Sequence, residues 1–182
     1  MNIISISRMI IMNLKFNRNN ISSNYNVNCF LLFLPILIWN VCLGGQLPQN
    51  YQPEVFSKAT PSFLIYGENI SKFILFAISF LMPLRIRSKK QKIGFYIYIF
   101  GLLLYFLSWI LLISFPDDWW STSFIGFSAP AFTPAIWLLG ISFIGSSFYL
   151  HIPFHRFTFI LFSTVFLFFH IAHTVIVFHA IG

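Results

Sequence analysis

Five stretches of this chain are long and apolar enough to cross a bilayer: Cys29 to Leu47, Phe63 to Leu84, Ile93 to Phe115, Thr122 to Tyr149 and Phe157 to Ala180. A helix rises about 1.5 Å per residue and the hydrocarbon core is about 30 Å thick, so about 20 residues suffice. Each stretch is apolar on all sides rather than along one stripe, as a lipid-embedded helix must be. Backbone exposed to lipid has to satisfy its own hydrogen bonds. The expected fold class is therefore all-α: a polytopic integral membrane helical bundle with five transmembrane helices. Residues 1–28 are expected to form a disordered cytoplasmic tail, and residues 29–182 one five-span membrane domain. No internal repeat is evident, and five spans do not divide into equal inverted halves.

Charge supports this class. Of 182 residues only 8% are charged, against 58% hydrophobic, whereas an average soluble domain carries roughly 25% charged residues. The formal net charge of +7 could suggest nucleic acid, but the positions argue for topology instead. Arg85, Arg87, Lys89, Lys90 and Lys92 crowd one short segment between two apolar runs. With a cytoplasmic N-terminus, nine of the eleven Lys and Arg residues lie inside, Lys58 lies outside and Lys72 lies in a span. Glu54, Asp117 and Asp118 then fall outside. The positive-inside rule thus predicts an N-in, C-out protein. Its expected partners are the lipid bilayer and a second copy or another membrane protein, with no nucleic acid. The abundance of Asn, Ile, Phe and Lys suggests an AT-rich genome, so the expected location is a bacterial cytoplasmic membrane.

Cys29 and Cys42 lie in one span, about 20 Å apart along a helix, too far for a disulfide. The short apolar patch from Ile3 to Met12 is interrupted by Arg8 and lacks a small-residue cleavage site, so no cleavable leader is expected. Met12 is an alternative start. The segment from Pro48 to Ser62, with Pro48, Pro53 and Pro61, is predicted to run extended or turned over the outer surface. Trp119 and Trp120 close the other outer loop, a position that suits indole at the membrane interface.

Ionisable residues within spans are costly and mark functional candidates. Glu68 and Lys72 are four residues apart on one face of the second span, extended by Ser71 and Ser79. In the fifth span Ser163, His170 and Thr174 share a face, flanked by His173, while His179 points away. By helical rise Glu68 lies about 8 Å from the outer end, His173 about 10 Å, Lys72 about 14 Å and His170 about 15 Å. Asn40, Ser108 and Trp109 lie at about 10 Å by the same rise. A polar cluster of Glu68, Lys72, His170 and His173, binding a small ligand, ion or proton in the outer half of the bundle, is the predicted site.

The fourth span contains Pro130 and Pro134, which free the carbonyls of Gly126 and Pro130. Either the prolines kink a packed helix, or Thr133 caps a helix that begins at Pro134 and the preceding residues are re-entrant. Within this span Phe132-Thr133-Pro134-Ala135-Ile136-Trp137-Leu138-Leu139-Gly140 locally resembles a motif of the five-span translocator (tryptophan-rich sensory) proteins. There the motif lies between the first spans, so no residue role is carried over.

Sharper chemistry is weakly signalled. His170 and His173, one turn apart, with Glu68 would supply two imidazoles and a carboxylate to a metal, but there is no HExxH motif. Their spacing excludes opposite axial ligation of a haem, and a haem between His170 and His151 would have to span about 28 Å. Ser108 or Ser128 near His173 could form a nucleophile and base for an intramembrane lipid-modifying enzyme, without a G-x-S-x-G elbow. His151, His155 and Arg156 could meet lipid headgroups. No motif identifies a cofactor. Gly94, Gly101 and Ser108, at seven-residue spacing, and Gly140 and Gly145 suit close helix packing within one chain or between protomers. A structural or accessory membrane protein, in which the polar residues only satisfy one another, is the alternative to a binding protein.

Overall fold

The computed structural model describes residues 27–58, 60–149 and 156–181. The tail residues 1–26, including Arg8, Met12, Lys15 and Arg18, and the loop residues His151 and His155, lie outside the described residues. Among the described residues there is no strand, only an isolated bridge between Asn28 and Pro83. Five helical stretches are long and apolar enough to cross a membrane: Cys29–Gln46, Ser62–Leu81, Lys89–Ser114, Phe124–Ile144 and Arg156–Ala180.

In chain order, a 3-10 turn, Cys29–Leu32, leads into α1, Leu34–Leu43. The Asn28 side chain accepts from Phe30 N–H and so starts the turn, while Pro35 stands in the first turn of α1, where its missing N–H costs nothing. Between the first two spans, residues 49–51 form a 3-10 turn and Pro53–Lys58 forms α2. This segment was expected to be extended or turned. Pro48 and Pro53 instead stand at helix starts, which proline favours. The second span is α3, Ser62–Leu81, and it stops before Pro83, since the residue ahead of a proline is pushed out of the helical region.

The third span, α4, Lys89–Ser114, begins four residues before the expected Ile93. Ser88 and Gln91 form a reciprocal capping box that satisfies the first turn. A short α5, Trp119–Thr122, precedes α6, Phe124–Phe132, and α7, Pro134–Ile144. Thr133 keeps helical angles and its hydroxyl donates to the Ala129 carbonyl. It therefore stands at the N-cap position of α7 without capping it through its side chain; Pro134 opens α7, and one residue separates α6 from α7. The fourth span is also shorter than the expected Thr122 to Tyr149. The chain leaves the helix at Gly145, where a Cβ would collide with the end of the Met82 side chain. The fifth span is α8, Arg156–Ile181.

The spans alternate in direction. Cys29 N–H donates to Met82 O, Tyr149 N–H to Leu81 O, and Gln91 Nε2 to Ile144 O, tying one end together. That end carries Arg85, Arg87, Lys89, Lys90 and Lys92, with the Arg156 guanidinium over the Phe143 ring. The opposite end holds α2, α5 and the end of α8, joined by contacts such as Phe124 with Phe178.

The tightest pairing is α4 against α7. A Cβ on Gly101 would lie 2.5 Å from Trp137 N, and one on Gly140 2.5 Å from Tyr98 N. The small-residue stripe is thus used within the chain, letting two backbones touch. Trp119 is exposed, whereas the backbone of Trp120 packs against Gly126. Cys29 is buried, Cys42 exposed, and both are free thiols.

Candidate functional site

The second large helix pair is α3 against α8, and its polar residues face one another. Glu68 is at the centre, with only 9% of its surface exposed. One carboxylate oxygen, Oε1, lies 3.5 Å from Lys72 Nζ and 3.1 Å from His170 Nδ1. The other, Oε2, lies 2.7 Å from His173 Nδ1. The spacing of each pair along its own helix places two groups on one face, and the antiparallel crossing brings the four together. Among the described residues every ion pair ends on Glu68.

The remaining hydroxyls of the two stripes are turned inward and mostly spent on their own helices. Ser71 donates to the Gly67 and Glu68 carbonyls, Ser79 to Leu75 O, and Thr174 to His170 O. Ser163 is buried and its hydroxyl has no partner among the described residues. His179 is exposed and bonds the Val175 carbonyl, away from the cluster.

Two participants had no clear sequence signal. His173 Nε2 lies 3.2 Å from the carbonyl oxygen of Phe56, so α2 closes over the cluster with a backbone acceptor. The Phe56 ring meets the His173 ring edge-on. Beside it, Tyr51 donates its hydroxyl to Phe127 O at 2.8 Å, and burial pushes that phenol well above its ordinary range. It therefore stays a donor. The second participant is Tyr105, whose hydroxyl donates to Asn40 Oδ1 at 2.6 Å.

Two cavities flank the cluster. The first, about 180 Å³, is bordered by Asn40, Lys72, Tyr105, Pro134, Trp137 and His170. The second, about 200 Å³, lies beneath Tyr51 and Phe56 and also reaches Asn40, Tyr105, Pro130 and His170. Both therefore touch the junction of α6 and α7, where Pro134 lacks the N–H that would meet the Pro130 carbonyl.

The Nδ1 atoms of His170 and His173 address different oxygens of Glu68. Among the described residues no set of three His, Cys, Asp or Glu side chains is arranged to hold a metal ion. Ser108 donates to Tyr105 O, and the buried Ser128 hydroxyl has no partner, so neither is paired with a histidine among the described residues. No family model matches the chain, and no curated protein or solved structure matches it.

Proposed function

We propose that this chain is a five-span membrane protein, N-terminus inside and C-terminus outside in a bacterial cytoplasmic membrane, that binds a small ligand, ion or proton in the outer half of its bundle. One observation carries the reading: Glu68 gathers Lys72, His170 and His173 beside two cavities that are both lined by His170. Charged groups at membrane depth are costly and need protein or water around them. Here Lys72 keeps 38% of its side chain exposed and borders a cavity, while its neighbour Phe73 points outward at 70% exposure. The orientation rests on the basic end formed by Arg85 to Lys92, which the positive-inside rule assigns to the cytoplasm.

A structural role is the competing reading, favoured by one fact: both Glu68 oxygens already have partners within the chain. Access to water separates the two. With Cys29 and Cys42 replaced by Ala, a single cysteine is placed at Lys72, Lys58 or Phe73, and intact cells are treated with a small, charged, membrane-impermeant thiol reagent. Lys72→Cys is expected to react, as Lys58→Cys does, whereas the lipid-facing Phe73→Cys does not. If Lys72→Cys is as inert as Phe73→Cys from both sides of the membrane, the cluster is structural. Labelling only in inverted vesicles would reverse the orientation.

A further inference from the structure

No acidic side chain of this protein lies at the basic end of the bundle. Arg85, Arg87, Lys89, Lys90 and Lys92 are all exposed there. The chain has only four acids: Glu68 is committed to its own cluster, Glu54 lies on α2, and Asp117 and Asp118 follow the far end of α4. Insertion with this end in the cytoplasm depends on the number of such cations, not on their arrangement. The structure fixes the arrangement. Ser88 and Gln91 close the first turn of α4, and the Gln91 side chain also donates to Ile144 O at 3.1 Å and to Ser146 Oγ at 3.2 Å. The cations therefore stand on a helix start that is pinned to the end of α7.

Two of them also head one face of α4. At about 100° per residue, Lys89, Lys92, Ile93, Phe100 and Leu103 fall within about 60° of Tyr96. Ile93, Tyr96, Phe100 and Leu103 are exposed, whereas Gly94 and Gly101, on the other side of the helix, meet α7. An exposed apolar stripe topped by two ammonium groups without an acidic partner matches the two parts of a phospholipid. A soluble polyanion would meet the cations and leave the stripe bare. Ile86, exposed between Arg85 and Arg87, likewise suits the boundary between headgroups and acyl chains rather than water. Lysines and arginines just outside a span attract anionic headgroups. We infer that the start of α4 binds an anionic phospholipid, whose phosphate pairs with Lys89 and Lys92 and whose chains lie against Ile93, Tyr96 and Phe100.

The test uses the full chain, with Cys29 and Cys42 replaced by Ala, in phosphatidylcholine nanodiscs. A bimane fluorophore is attached at Tyr96→Cys, about 10 Å from Lys89 along the helix, or at Ile110→Cys, exposed on the same face near the other end of α4. Quenching by phosphatidylglycerol with brominated chains is compared with quenching by brominated phosphatidylcholine. At Tyr96→Cys phosphatidylglycerol is expected to be favoured at least about fivefold, the contribution of one cation near the surface. At Ile110→Cys the two lipids should quench alike. Replacing both Lys89→Gln and Lys92→Gln, which removes two charges from exposed positions, should reduce the preference at least about threefold, whereas Lys89→Arg with Lys92→Arg should keep it. No preference at Tyr96→Cys, an equal preference at Ile110→Cys, or indifference to the paired Gln substitutions would overturn the inference. Loss of the preference on adding inorganic phosphate at constant ionic strength would also overturn it, because the lysines would then hold a soluble anion.

Discussion

Where α4 crosses α7, Gly94, Gly101 and Gly140 bring one backbone against another; where α3 crosses α8, Gly67 meets only the ring of Phe169, and a carboxylate meets two imidazoles. The first contact is held by shape. Lipid is as apolar as the helices, so close packing has to supply the attraction. The second is held by charge and hydrogen bonds, and cavities remain beside it. The difference suggests a division of labour: a tight pair that fixes the bundle, and a looser polar pair that is free to bind.

The largest effect should come from overfilling the tight pair. Gly101→Leu would push a side chain into the backbone of Trp137, which cannot move without shifting α7, and should cost about 3 kcal/mol or prevent folding. Gly67→Ala, at the polar pair, meets the far end of the Phe169 side chain, and should cost less than about 1 kcal/mol because a ring can rotate aside. Thermal unfolding in detergent checks both. Equal losses would erase the distinction between the two pairs.

A smaller effect is expected at the rim of the cavities. Tyr105→Phe deletes the hydroxyl that donates to Asn40, and should lower stability by about 1 kcal/mol, read from the same unfolding curves. No change would mean that this link between α1 and α4 contributes nothing to the wall shared by the two cavities.

Much of this was legible in the sequence, for identifiable reasons. Charge-free apolar runs define spans, and i, i+4 and i, i+3 spacing places Glu68 with Lys72 and His170 with His173. That the two stripes face each other depends on which helices are neighbours, and five spans can be arranged in several ways; only their matching depth hinted at it. The Phe56 carbonyl could not be read at all, because a backbone acceptor has no residue signature. Tyr105 could have been found by asking which donor lies level with Asn40. The early start of α4 was written in Ser88-x-x-Gln91, a capping-box pattern. By contrast, the end of α7 depends on Met82 and Gln91, both distant in sequence.

The central claim, that Glu68 joins α3 to α8 through the histidines, is tested most directly by a double-mutant cycle on Glu68→Leu and His173→Leu, measured by reversible unfolding in mixed micelles. The contact of 2.7 Å predicts a coupling energy of about 1 kcal/mol or more, within the range for groups sharing one hydrogen-bond network. Additivity within about 0.3 kcal/mol would contradict it, because two side chains that do not interact cannot form the site.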